Sequence, residues 1–483
     1  MISIIGTSLK KLRDDAHQAS LSPDGSQIVF LDANTRQIWI MASDGSQAKP
    51  LFKPDDGFHV IGPTWFPNGK RIAYWKFQSA SVSNDLALES RNLQGTDPVV
   101  LVHDPNLVDF SWAQSGRMIY SLSEPPPHRY DSNLWELNYD LESGKHNGAV
   151  RRLTDWTGFF FVDPSMTADG KHLVFLNQKQ QSAVYLGELA SDGNELKTPQ
   201  RLTLNENLNW PGGWSLDGKT LFFYSDRDGS FDIYKQGPND RNAQAIATGP
   251  EEKWAPQISP DGKWVLYLQW PKAANSATTP GKLMRATIAG GAPETVMEVT
   301  GKVSLSSDPV STLSRNPSFR CPARPGADCV IKEKREKQII FSAIDPEKGR
   351  KAELLKITAD QDLTGWDLSP DGARVAIGKF SYKTGEVEIL PLDGSTPQQL
   401  STMPWTEIVG VAWAADGKSL FLASYSSRGT AIVHTDFAGH AKMLFKPSWD
   451  IYTLQASPDG KYLAFGPVIT NANAWTMGSF PAK

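Results

Sequence analysis

The sequence predicts an all-β chain organised as a β-propeller of four-stranded antiparallel blades, and three observations carry that expectation. A turn phrase recurs as Ser22-Pro23-Asp24-Gly25, Ser259-Pro260-Asp261-Gly262, Ser369-Pro370-Asp371-Gly372 and Ser457-Pro458-Asp459-Gly460. Looser copies end at Asn68-Gly69, Asp169-Gly170, Asp217-Gly218 and Asp416-Gly417, with a weak one at Ser115-Gly116. Each copy is followed by a short β-branched or aromatic run, and no helical periodicity lies between copies. A repeat of about 45 residues makes one small sheet that cannot bury both faces alone, so the units must pack side by side.

The elements of a unit follow in a fixed order. A short strand ends in Trp or a small residue, as in Thr64-Trp65 and Ala412-Trp413. The corner follows: Pro presets φ, Asp bonds its own backbone, and Gly takes the position that needs positive φ. A second strand alternates, as in Leu221-Phe222-Phe223-Tyr224-Ser225. The hairpin Asp226-Arg227-Asp228-Gly229 leads to a third strand, Phe231-Asp232-Ile233-Tyr234-Lys235. A more polar fourth strand closes the unit, as in Gln200-Arg201-Leu202-Thr203.

The interval between Gly262 and Gly372 is about two repeats wide. A hidden unit is therefore expected there, with Lys337-Gln338-Ile339-Ile340-Phe341-Ser342 as its second strand and its turn rebuilt at 334–336. About ten blade units result. Residues 2–13 supply only a third strand at 2–5 and a fourth at 10–12, so the start reads as truncated. The expected division is a partial N-terminal propeller of about three units over 1–150 and a seven-bladed ring over 151–483. A single ten-bladed ring is the alternative.

Composition limits the function classes. The chain has 483 residues, 40% hydrophobic and 10% aromatic, with a formal charge of −4. That balance argues against a nucleic-acid partner, which needs clustered Lys and Arg. No apolar stretch approaches the ~20 residues of a membrane span. Cys321 and Cys329 flank a Pro- and Gly-containing segment. A small disulfide loop and two unpaired thiols are both compatible with that spacing.

The search for reactive groups predicts no catalytic residue, cofactor or metal. Ser215 in Gly213-Trp214-Ser215-Leu216-Asp217-Gly218 sits at a repeat corner and lacks the spacing of a nucleophile elbow. The eight histidines are scattered over different units. The repeated aspartates occupy one turn position, which favours a structural role. One surface feature remains. The connections from a fourth strand to the next first strand carry Trp156 with Phe159 and Phe160, then Trp210, Trp254, Trp405, and Trp449 with Tyr452. Such connections converge on one propeller face, where a protein or small ligand would dock. The alternative is that these rings wedge between blades as core.

The Ser-Pro-Asp-Gly units, with Ile38-Trp39-Ile40-Met41-Ala42-Ser43-Asp44-Gly45 after the first of them, resemble the TolB-like, WD-repeat-like β-propeller family. Residues 225–236, the Cys321–Cys329 loop running into Phe341-Ser342-Ala343-Ile344-Asp345-Pro346, and the ending Asn471-Ala472-Asn473-Ala474-Trp475 are similar to the C-terminal propellers of acidobacterial serine/threonine kinases and winged-helix regulators. The resemblance implies a longer parent, a non-catalytic sensor or binding role, and an extracytoplasmic location. A propeller enzyme (lyase or hydrolase) with an axial site and a TolB-like envelope scaffold are the alternatives. No kinase or winged-helix segment is present in this sequence to carry those activities.

Overall fold

The computed structural model describes residues 11–78, 86–125, 131–167, 169–271, 280–300, 318–335, 337–358, 365–379, 384–426 and 429–478. Its ordered elements are antiparallel strands, gathered mostly into four-stranded sheets of consecutive strands, as a propeller requires. The chain forms two compact units. One comprises residues 1–179 and 472–483; the other comprises residues 180–471.

The first unit contains three complete sheets. They are built from Ala16–Leu21, Gln27–Asp32, Ile38–Ala42 and Lys49–Phe52; from Phe58–Trp65 to Val99–His103; and from Leu107–Trp112 to His146–Arg152. A further pair, Phe161–Met166 and His172–Gln181, borders the strand Tyr462–Gly478. Met477 packs with Phe161, Leu173 and Phe175, and Trp475 meets Phe159 edge-on at 5.4 Å. The strand expected at 2–5 lies outside the described residues, and Lys11 and Leu12 carry no strand.

The described residues of the second unit form six sheets. Five follow chain order, beginning at Asn209–Trp214, Glu252–Ile258, Ser318–Arg320, Trp366–Leu368 and Ile408–Trp413. The sixth is assembled from both ends of the unit. Asp450–Ala456 pairs with Tyr462–Gly478, whose residues 462–465 pair in turn with Tyr185–Glu188, and Gln200–Arg201 forms the outer edge. First strands then meet around an axis. Trp214 Nε1 donates to Gln455 O at 3.1 Å, Gln257 Nε2 to Gly212 O at 3.3 Å, and Trp366 Nε1 to Ser318 Oγ at 2.9 Å. Trp413 Nε1 reaches Asp367 O at 3.3 Å. In the first unit Trp65 makes the same bond to Ser20 O at 3.1 Å. Trp65, Trp214 and Trp413, each at a first strand's end, thus latch onto the neighbouring blade, each N–H keeping an acceptor there.

The boundary between units lies at 179/180, downstream of the expected break at 150/151. The repeat with corner Asp169-Gly170 is the reason. Its first two strands belong with the first unit, while the strands at 185–201 join the last first-strand pair of the chain. The ring that surrounds the axis therefore has six sheets where seven were expected. The hidden unit is also shifted by one strand. Ser318–Arg320 is its first strand, Cys329–Arg335 its second and Gln338–Asp345 its third, so 334 and 335 end the second strand, while 336 lies outside the described residues. Its corner is the Cys321–Cys329 disulfide loop, a covalent closure where sibling sheets use a hydrogen-bonded turn.

The corners that begin with Ser share one chemistry. Ser22 Oγ donates to Asp24 Oδ1 at 2.6 Å and accepts the Gln27 N–H at 2.9 Å. Ser215–Asp217, Ser259–Asp261, Ser369–Asp371 and Ser457–Asp459 repeat the hydroxyl-to-carboxylate bond. The Ser22 hydroxyl and then the Ser26 amide pull the Asp24 carboxyl down to about 2. Ser215 and the repeat aspartates are thereby committed to the corner.

A titratable contact lies beside the closing sheet. His434 is buried, with Nδ1 3.0 Å from Asn194 Oδ1 and its ring 5.1 Å from Phe421. Burial lowers its pKa below the ordinary histidine value, against smaller opposing contributions from Asp416, Asp436 and Asp192. An unfolded chain then binds a proton that the folded one refuses, so stability is full above the unfolded histidine pKa and declines as pH falls below about 6.5. The melting temperature should drop on acidification from about pH 8 to about pH 5.5, and His434→Gln should reduce that drop. Parallel pH profiles for the two proteins would show that His434 does not titrate with unfolding.

Candidate functional site

The residues expected on one binding face fall into three groups. Trp156 and Phe159 belong to the first unit. Trp156 is 40% exposed and packs on Phe159 and Phe161 at 5.2 and 5.9 Å. Its backbone N–H is held by Asn133 Oδ1 at 2.8 Å.

Trp210 and Trp254 take the core alternative. Each is only 1% exposed, and both rank among the largest fully buried side chains. Trp254 packs on Trp270 at 5.6 Å, and Gly281 leaves room for the Trp270 ring, where a Cβ would lie within 2.1 Å of it. Gly466 likewise admits the edge of Trp210. Both tryptophans stand eight residues before a turn glycine, Gly218 or Gly262, which places them inside the first strand and not in the connection preceding it.

Trp405, Trp449 and Tyr452 remain half-buried on the strand-start side of the second unit. Trp449 rests against Tyr185 at 5.1 Å and Phe445 at 6.0 Å, bracing the closing sheet while keeping part of its ring in solvent. Tyr452 enters the wall of the axial channel.

That channel runs between the first strands of the second unit. Its strand-start half, about 90 Å³, is lined by all six first strands, among them Gly212, Ala255, Arg320, Trp366, Gly410 and Tyr452. Its corner half, about 260 Å³, is lined by Trp214, Cys321, Pro322, Asp367, Trp413 and Pro458. Gln257, Arg320 and Gln455 line both halves and so form the waist. The disulfide loop stands at the corner-side mouth. Arg320 Nε lies 3.3 Å from Asp367 Oδ1, its guanidinium lies over Trp366 at 5.4 Å, and Nη1 donates to Phe319 O at 3.0 Å. Asp367 Oδ2 also accepts the Trp413 N–H at 2.9 Å. Burial nevertheless raises the Asp367 carboxyl above its ordinary value, with Arg320 opposing.

The waist residues were not singled out from the sequence, although a signal existed. Gln257, Asp367 and Gln455 each stand five residues before a turn glycine, so a polar residue recurs at one first-strand position. Arg320 escaped that alignment because its corner has no turn glycine. Among the described residues no group of three or more His, Cys, Asp or Glu is arranged to hold a metal ion. Among them, too, no helix is long and apolar enough to cross a membrane.

Comparison with known proteins gives the following. No family model matches the chain. An uncharacterized protein of Agrobacterium fabrum is 26% identical over 193 residues, 38% of this chain and 57% of its own length. The Tol-Pal system protein TolB of Francisella tularensis is 27% identical over 163 residues, 33% of this chain and 34% of its own length. This chain thus covers only part of the length of the curated relatives that it matches. The crystal structure of TolB from Acinetobacter baumannii aligns with 72% of this chain and 79% of its own at 16% identity, with a TM-score of 0.25. The chain is similar to TolB over about a third of its length, and its sheets are those of a multi-blade β-propeller.

Proposed function

We propose that this chain is a non-catalytic propeller that binds a protein partner on the strand-start face of its second unit. One observation carries the reading: Trp405, Trp449 and Tyr452 are half-buried at the starts of first strands, with Tyr452 in the channel wall, while Trp210 and Trp254 are committed to blade packing. Half-buried aromatics on a rigid frame supply contact area without ordering cost, which is how protein interfaces obtain most of their affinity.

Two settings fit such a module. The similarity to TolB and the Cys321–Cys329 disulfide favour an extracytoplasmic envelope scaffold, since disulfides persist in oxidising compartments. The resemblance noted in the sequence supports the second, a sensory portion of a bacterial signalling protein whose effector is a kinase or winged-helix domain. A propeller enzyme is disfavoured because, among the described residues, the axial polar groups include no paired acid and base.

The test is site-specific photocrosslinking in cells of the source bacterium, with the probe at 405 or 449 and, as a control, at the corner-side position 219. A discrete protein adduct is expected from 405 and 449 and not from 219, and Tyr452→Ala should diminish it at least several-fold. Adducts of equal yield from all three positions, or turnover of a substrate by the purified chain, would overturn the reading.

A further inference from the structure

The waist of the axial channel has a chemistry that the protein-binding face does not use. Arg320 holds Phe319 O through Nη1 and faces Asp367 through a buried Nε that is not aligned for a hydrogen bond. Among the described residues, no protein acceptor engages its Nη2. Lys332 lines the same half of the channel, and no carboxylate is among the lining residues there. Thr453 Oγ1 is buried in that wall without a hydrogen-bond partner, and Gln257 spends its amide N–H on Gly212 O, which leaves its carbonyl free.

A buried polar atom without a partner costs roughly 1–3 kcal/mol, and a native structure keeps such atoms where something else satisfies them. Water can do so. A guanidinium edge, however, selects a planar two-oxygen anion over water or a point anion by its fork geometry. Beside it stand two acceptors suited to N–H groups, the Gln257 carbonyl and the Thr453 hydroxyl. A cavity of about 90 Å³ admits one extended chain and excludes a folded element.

We propose that the channel waist is a binding site for a carboxylate at the end of a slender chain, gripped by Arg320, with Gln257 and Thr453 accepting from the adjacent N–H groups. The Trp366 ring beneath the guanidinium and the Asp367 carboxylate beside it hold Arg320 in place, so little rotamer entropy is lost on binding. Two sources share this chemistry: the free C-terminus of an extended peptide and a small dicarboxylate.

Titration calorimetry on the full chain separates them. The probes are a tetraalanine peptide with a free C-terminal acid, the same peptide as its C-terminal amide, and succinate. The acid peptide should bind at least about tenfold more tightly than the amide, and Arg320→Gln should abolish the difference. Arg320→Lys, which keeps the charge beside Asp367 but loses the fork, should weaken the acid peptide several-fold. Succinate binding as tightly as the peptide would assign the site to small acids and still support it. Equal affinity for acid and amide, or no binding of either peptide or succinate up to about 10 mM, would overturn it. The wild-type comparison stands even if an Arg320 variant fails to fold. The photocrosslinking at 405 and 449 is independent of both outcomes.

Discussion

Replacing Trp254 by Ala is expected to destabilise the second unit by about 3–5 kcal/mol, the range for truncating a buried aromatic. Trp254 is 1% exposed, and removing it strips the partner from Trp270, so a cavity forms between two rings that cannot collapse without moving backbone. Trp210→Ala should cost a similar amount. Trp449→Ala, by contrast, should reduce thermal stability far less while removing contact area from the rim. The check is thermal unfolding of the three variants followed by near-ultraviolet circular dichroism. Equal melting temperatures for Trp254→Ala and the wild type would mean that the ring is not part of the core.

The second large effect concerns Lys253 and Asp232, a buried ion pair whose side chains are only 2% and 4% exposed. Lys253 Nζ meets Asp232 Oδ1 at 2.8 Å, Glu251 O at 2.8 Å and Gly249 O at 3.2 Å, so all three ammonium protons have acceptors. Burial still raises the Asp232 carboxyl above its ordinary value, with Lys253 opposing. Lys253→Met should destabilise by about 3–5 kcal/mol because it leaves that carboxylate buried without its cation. Adding Asp232→Leu should recover much of the loss, since paired apolar groups of similar volume are tolerated where a lone charge is not. Denaturant unfolding of the single and double variants measures the coupling directly. Strict additivity would show that the two charges do not interact.

Much of the fold was legible because the propeller's grammar is local. Ser22, Asp24 and Gly25 bond within a few residues of one another, so the corner can be read without knowing the partner strand. What escaped was decided at a distance. Whether the repeat at 161–181 belongs with the sheets before it or after it depends on which part of Tyr462–Gly478 it borders, and no local pattern encodes that choice. The corner at 321–329 escaped for a different reason. A covalent bond replaced the Ser–Asp–Gly chemistry, and with it went the landmark used for alignment. The aromatic residues were legible as a class and not as individuals. Trp254 and Trp405 are close in sequence context, yet one lies inside a first strand and the other in the connection before it. Arg320 is the clearest omission, a cation whose importance comes from five other strands that face it across an axis.

The sixth sheet of the second unit has a consequence for biosynthesis. Residues 185–201 leave the ribosome early, and the inner edge of Tyr185–Glu188 has no strand to border until residues 462–465 emerge. The ring therefore stays open throughout most of translation, with the inner edge at Tyr185–Glu188 exposed to any passing strand. Closure is a late, long-range event of high contact order, and a nick or a stalled chain before residue 450 would leave a crescent prone to pairing with its neighbours.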